Sequence, residues 1–269
     1  MGGANIASRR QPDVKSALAR YTPLSVRTGA VALSRAFRSI YALPEIQALL
    51  QAELGLLPGY VARQPRGRAL LLHPDAQSRR LPADLAHLEA TRLHVADGDS
   101  LRGDVICSPR ALPMEDDAFQ LVFAQHVGDA QNGAAGLVGE IARVMAPGAL
   151  LLWCGFNPWS PWLAWVHWHL RGGGVLPQTL HADALRRRLQ RAQLAPQSLE
   201  YLGSVWPRRG TEQAAIVAAG TPWLAPLRGA YLVAARKQRA VLTPLRPRVR
   251  RPVALGARLA GTSSQRACA

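Results

Sequence analysis

Glycine is plentiful in this 269-residue chain, yet none falls between Arg68 and Gly98. Turns in that stretch must be made without the residue that adopts left-handed angles freely and lets other groups approach its backbone. Acidic residues are also scarce. Lys and Arg number 33 against 17 Asp and Glu, giving a formal net charge of +16 and a pI near 11.3. That balance favours attraction to polyanions or anionic membranes and says nothing about the fold. Cysteine is limited to Cys107, Cys154 and Cys268, odd in number and far apart, so no disulfide framework or CxxC centre follows. Cys107 and Cys154 lie in or beside apolar runs, which suits reduced core thiols and a cytoplasmic compartment. No apolar run approaches the roughly 20 residues that span a bilayer. Arg9, Arg10 and Lys15 lack a compact apolar stretch beside them, so no signal peptide is expected. Gly2-Gly3 fails the myristoylation pattern because Ile6 replaces the required Ser or Thr.

The strongest pattern runs from Leu112 to Ser160. Phe119 to His126 (FQLVFAQH) is a short apolar run after the acidic turn Glu115-Asp116-Asp117, and reads as a buried strand. Leu137, Val138, Ile141, Val144 and Met145 recur at helical spacing, and Pro147-Gly148 should end that helix. Ala149 to Cys154 (ALLLWC) is a second strand, stopped by Gly155 and Pro158. Strand, helix and strand with short joints make a βαβ unit of a parallel sheet. Ligands of such sheets bind beyond the carboxyl ends of the strands, here Gln125-His126 and Gly155 to Pro158.

Other elements follow in order. Residues 1–28 are polar, basic and turn-rich, and read as a poorly ordered extension. Ala30 to Tyr41 is a helical candidate, and Pro44 opens a second one carrying Ile46, Leu49, Leu50 and Leu54. Ala69 to Leu72 is an apolar strand, Pro82 to Ala90 a helix, Thr91 to Ala96 a strand, and Asp104 to Cys107 (DVIC) another. Thr179 or His181 begins a helix through Leu185, Leu189 and Leu194. Leu199 to Trp206 and Ala230 to Ala235 read as a final pair of strands, which ends the folded region 29–236. Residues 237–269 form a basic, proline-broken tail by composition. The tail has no aromatic residue to stack on bases, so no stable nucleic-acid complex is expected, only weak polyanion or membrane-surface contact.

LPMEDDAFQLVFAQHV, followed by EIARVMAPGALLLWCGFNP, resembles the second half of a class I S-adenosylmethionine (SAM)-dependent methyltransferase. The small-molecule branch related to quinone-biosynthesis methyltransferases is the nearest in pattern. The match runs in order over about residues 65–236 and is specific from Leu112 to Pro158. The resemblance implies an α/β, doubly wound, mostly parallel seven-stranded sheet of Rossmann type. It also implies N-terminal helices covering the ligand site and SAM as cofactor.

The family's glycine-rich turn of the DxGxGxG kind is replaced here by His73-Pro74-Asp75-Ala76-Gln77-Ser78; the resemblance implies cofactor contacts from Leu72, His73, Pro74 and Asp75, with a plain turn aspartate as the other reading of Asp75. Asp97 stands where the family's strand-end acid accepts from the ribose hydroxyls, with Asp99 just beyond; a solvated DGDS turn is the other reading. Ser108, with Ala111 and Leu112 after it, stands where the family meets the adenine. Gln120 replaces a structural Asp. His126 ends the fourth strand facing cofactor and substrate. It is the candidate general base, against a purely structural, hydrogen-bonded histidine.

Phe156, Asn157, Trp159, Trp162 and Trp165 would wall a pocket for an apolar or ring-bearing small molecule. Four of the seven tryptophans lie between Trp159 and Trp168, and an interfacial membrane contact or a core helix are the competing readings. His167 and His169 are at i, i+2, the wrong spacing for one helical face, so no metal site is expected. The leading expectation is in-line methyl transfer from SAM to a small molecule. The alternatives are an inactive scaffold or regulatory protein that kept the fold, or a nucleic-acid or membrane binder acting through the basic tail.

Overall fold

The computed structural model describes residues 40–80, 85, 87–96, 100–130, 134–172, 176–208 and 222–238. The extension at 1–28, most of the first helical candidate, Asp97, Asp99 and all of the expected tail beyond Gln238 lie outside those residues.

Seven strands form one sheet: β1 Gly67–His73, β2 Leu88–Val95, β3 Leu101–Gly103, β4 Phe119–Gln125, β5 Met145–Phe156, β6 Leu194–Leu202 and β7 Ala230–Lys237. Their spatial order is β3-β2-β1-β4-β5-β7-β6. β1, β2, β4 and β5 are mutually parallel, while β7 runs antiparallel to both β5 and β6. This is the doubly wound, mostly parallel arrangement expected.

Helices cover both faces. On one side α4 (Ala134–Val144) and α6 (Ala182–Arg191) pack Leu137, Ile141, Leu185 and Leu189 onto Leu70, Leu72, Val122 and Leu151. On the other, α1 (Pro44–Leu54), the short α2 (Leu57–Val61) and α5 (Pro161–His169) pack Ile46, Leu49, Leu57 and Trp162 onto Ala69, Leu71, Phe123 and Leu152. The alternation along β1 from Ala69 and along β4 from Leu121, one residue to each face, explains why both read as continuous apolar runs; a bulge between Phe119 and Leu121 puts Phe119 on the side of Val122.

Several boundaries differ from the sequence expectation. Leu88 to Ala90, expected at the end of a helix, already pair with Gly67 to Ala69. The helix through Ile141 stops at Val144, because Met145 joins the sheet opposite Phe119. β7 continues one residue past 236, to Lys237.

The third strand differs most. It is Leu101–Gly103, antiparallel to β2, and not Asp104 to Cys107. Leu101 and Cys107 exchange both backbone hydrogen bonds, so Asp104, Val105 and Ile106 become an exposed turn. Asp104 holds that turn by accepting from the Arg92 amide at 2.7 Å and pairing with Arg79. Gly103 is required there, since a Cβ would run into the Arg92 carbonyl oxygen.

The acidic turn before β4 has a structural role. Arg143 on α4 donates to Asp116, to Glu140 and to the carbonyls of Leu112 and Met114, while Glu140 accepts from the Leu112 amide at 2.8 Å. The Arg143 partner holds the Glu140 carboxyl below its usual range. Asp117, at φ 56, accepts from Lys237 at 2.6 Å.

Candidate functional site

β4 ends at Gln125, and the chain turns sharply at His126 (φ 50) into the one-turn helix α3, Val127–Ala130. A left-handed angle at a histidine is uncommon and persists only where the surroundings over-determine it. Here the surroundings do so. His126 Nε2 donates to Glu53 Oε1 at 2.9 Å, and Nδ1 donates to Asp129 Oδ2 at 2.8 Å. Asp129 Oδ2 also accepts from the Phe156 amide at 2.8 Å. Gln125 donates from Nε2 to the Leu50 carbonyl and to Glu53 Oε2, each at 2.9 Å, and its Oε1 accepts from His73 Nδ1 at 3.2 Å.

Five elements are therefore joined by one buried network: α1 through Glu53, β1 through His73, β4 with α3 through Gln125, His126 and Asp129, and β5 through Phe156. Glu53, Gln125 and His126 have no exposed surface. The His126 ring packs 4.3 Å from that of Phe156, which stacks on Tyr41.

Burial alone would depress His126, but the charges of Glu53 and Asp129 and their hydrogen bonds outweigh it and raise the pKa to about 10. Asp129 is raised by burial, against the lowering effect of His126 and the Phe156 amide. His126 is thus an imidazolium held between two carboxylates near neutral pH. It has no free nitrogen with which to accept a proton, which leaves the expected general base already committed.

His73 behaves oppositely. Burial lowers its pKa to about 4, against the raising effect of the Gln125 hydrogen bond and of the Asp75 charge. The ring is neutral, donates from Nδ1, and presents an Nε2 lone pair with no partner. His73 and His94 are register partners in β1 and β2, and Gln125 follows Ala124, the β4 partner of Leu72. His94 Nδ1, Ser78 Oγ after β1 and Ser100 Oγ before β3 are also buried and unpartnered. Unsatisfied buried polar atoms are rare and need a reason. Here they gather at the carboxyl ends of β1 and β2, where ligands of doubly wound sheets bind.

The other expected cofactor residues are placed as follows. Leu72 and Leu112 point into the core beneath α4. Pro74 is buried, and Asp75 Oδ1 caps the following turn by accepting from the Ser78 amide at 2.7 Å. Ser108 and Ala111 are exposed and bridge each other; Ser108 Oγ accepts from the Arg110 amide.

In the expected substrate wall, Asn157 spends its amide donors on the Pro226 and Arg228 carbonyls at 2.7 and 2.9 Å, and its Oδ1 accepts from the Trp159 amide. Trp162 is buried and donates from Nε1 to the Ser204 carbonyl at 2.8 Å, which makes it an anchor of α5. Trp165 is half-buried against it, and Trp159 stands in solvent. No group of three or more His, Cys, Asp or Glu that could hold a metal occurs among the described residues.

Sequence reasoning missed Glu53, Asp129, Ser78, His94 and Ser100. Glu53 did leave a signal. It falls on the apolar stripe of α1, at i+7 from Ile46 and i+4 from Leu49, where a carboxylate demands a buried partner.

The donor set fits a SAM-like ligand at the strand ends. His73 Nε2 is an unpartnered acceptor, and the serine hydroxyls and His94 can accept or donate, which is the chemistry that ribose and adenine require. The turn after β1 departs from the family's glycine-rich one: Asp75 accepts from the Ser78 amide across it, and no glycine stands there.

No protein-family model matches the sequence. No curated protein matches it either. Solved structures do. A SAM-dependent methyltransferase from Archaeoglobus fulgidus superposes with a TM-score of 0.51 at 12% identity, over 77% of this chain and 99% of that one. A SAM-dependent methyltransferase from Thermotoga maritima gives 0.45 at 10% identity, over 78% and 97%. The [4+2]-cyclase SpnF gives 0.44 at 14% identity, over 76% and 86%. The first of these carries the comparison. Together with the sheet order, it shows the Rossmann-like fold of class I SAM-dependent methyltransferases.

Proposed function

We propose that this chain is a SAM-dependent methyltransferase acting on an apolar or ring-bearing small molecule. The observation that carries the reading is the cluster of unpartnered polar atoms on His73, Ser78, His94 and Ser100, at the carboxyl ends of β1 and β2 of a methyltransferase-type sheet. When bound, SAM supplies a methyl group on a sulfonium already activated for in-line transfer.

The chain's own contribution is binding, orientation and exclusion of water. His73 Nε2 accepts from the ligand while Gln125 fixes the ring from the other side. His126 does not move a proton; it ties Glu53 of α1 to the ends of β4 and β5, and so holds the cover shut over the strand ends. None of His73, Gln125 or His126 is open to solvent, so a ligand enters only when α1 lifts.

Calorimetric titration of the full chain with SAM and with its demethylated product tests the reading. Saturable binding that falls about tenfold in His73→Phe is expected, since that substitution removes one hydrogen bond to the ligand while keeping the ring volume. Absence of binding at millimolar ligand would sink it.

A second reading is favoured by a specific observation. The network between α1 and β4 is closed and fully bonded, and the turn after β1 lacks glycine. These features suit a methyltransferase-fold scaffold without cofactor. In that case neither ligand would bind, and His73→Phe would change only stability.

A further inference from the structure

Large aromatic side chains are expensive to leave in water, and a soluble surface that displays several of them close together marks a contact site. Four of the seven tryptophans here are exposed: Trp159 at 72%, Trp168 at 69%, Trp206 at 57% and Trp223 at 76%. They emerge from segments that are bonded to one another. Trp162 of α5 donates to the Ser204 carbonyl, the Asn157 amide donates to the Gly229 carbonyl at 2.9 Å, and the Gly229 amide donates to the Ser204 carbonyl at 3.1 Å. Gly229 fits there because a Cβ would press on the Trp162 indole at 2.7 Å. Trp159, Trp206 and Trp223 therefore leave a common knot, and Trp168 stands at the far end of α5, which is about 13 Å long at 1.5 Å per residue. Aliphatic Leu227 is exposed in the segment of Trp223, and Leu176 in the stretch that leads into α6.

The charge around these indoles is predominantly positive. The sequence has no Asp or Glu from Ile141 to Ala182. The Arg171 guanidinium lies over the Trp168 ring, 5.4 Å from its centroid. His181 packs against Trp159 at the start of α6, whose exposed Arg186, Arg187 and Arg191 lie on the other side of the sheet from α5. Asp183 is the acid at that helix start, and Arg186 lies 3.7 Å from it.

We infer that this surface docks on an anionic phospholipid bilayer. Indoles with an apolar body and a polar N–H settle at the water–lipid boundary, and an arginine beside them, here Arg171, pairs with a phosphate. The net charge of +16 supplies attraction to an anionic leaflet over a wider area. No helix among the described residues is long and apolar enough to cross a membrane, so the contact is peripheral. Nucleic acid would use the aromatic rings and the charge but has no use for Leu176 and Leu227, which do not stack on bases. The inference stands independently of methyl transfer.

The test is co-sedimentation of the full chain with vesicles of phosphatidylglycerol and phosphatidylcholine, beside vesicles of phosphatidylcholine alone. A second arm uses lipids brominated in the acyl chain to quench tryptophan fluorescence. Trp168→Ala with Trp223→Ala is the variant, because both rings are exposed and their loss should leave the melting temperature unchanged. Binding to the anionic vesicles, quenching by the brominated lipids and about a tenfold weakening in the variant are expected from the lost interfacial area. Equal binding by the variant overturns the inference. So does vesicle binding without quenching, which would be charge attraction alone, or a preference for single-stranded RNA over the vesicles.

Discussion

At the scale of single residues, two histidines 53 positions apart take opposite protonation states because of what lies beside them. His126 has two carboxylates within 2.9 Å, and its pKa rises to about 10; His73 has an amide and burial, and its pKa falls to about 4. The consequences for stability have opposite signs. A histidine raised in the folded state contributes stability fully below the unfolded value near 6.5, and loses it as pH rises through about 10. A histidine lowered in the folded state contributes fully above the unfolded value, and loses it as pH falls toward about 4. Stability measured by urea unfolding should therefore peak near neutrality. His126→Asn should flatten the alkaline limb and His73→Gln the acid limb. A common loss of both limbs in either variant would contradict the separate assignments. Asn tolerates the left-handed backbone at this position, so the cost of His126→Asn comes from stranding Glu53 and Asp129, about 3–5 kcal/mol as for one broken member of a buried ion pair. Adding Glu53→Gln should recover part of it, and strict additivity of the two changes would show that the residues do not act as a unit.

At the scale of elements, β1, β4, β5 and α4 were legible because each is a whole apolar run or a clean helical stripe. The third strand was not. DVIC has the composition of a strand, but Asp104 folds its carboxylate back onto the Arg92 amide, and Gly103 permits the tight approach that turns the chain one residue earlier. The site was less legible than the sheet, because its key contact joins Glu53 to His126 across 73 positions, and no local pattern records which helix will lie over which strand end. The tryptophan segment shows the same limit. Sequence spacing placed Trp162, Trp165 and Trp168 together, yet only Trp162 is fully packed, because its indole meets Gly229 and the Ser204 carbonyl. Trp162→Ala should thus cost about 3–5 kcal/mol, as large-to-small core changes do. Trp168→Ala, on the solvent side of the same helix, should stay within about 0.5 kcal/mol. Similar costs for the two in thermal unfolding would show that α5 is not anchored through Trp162.

At the scale of the molecule, the sheet is completed from its C-terminal end. β7 is inserted between β5 and β6, so the last strand among the described residues closes a sheet whose other strands come earlier in the chain. Its final residues do more than fill a register. Lys237 pairs with Leu194, and its Nζ donates to Asp117 at 2.6 Å and to the Met145 carbonyl at 2.7 Å; the Gln238 amide donates to the Gln193 carbonyl at 3.0 Å. Lys237 thereby joins β7 to the acidic turn before β4 and to the start of β5. A chain ending after Gln238 keeps every one of these bonds and should melt at the temperature of the full chain. A chain ending after Arg236 loses them all. The ion pair to Asp117 is partly exposed and weak, but with the backbone bonds the loss should total about 1–3 kcal/mol, or several degrees in melting temperature for a domain of this size. Two chains that differ by two residues separate the terminal lock from any effect of residues further on. If they melted alike, the lock at Lys237 would be dispensable; if both melted well below the full chain, the stabilising contacts would lie beyond Gln238.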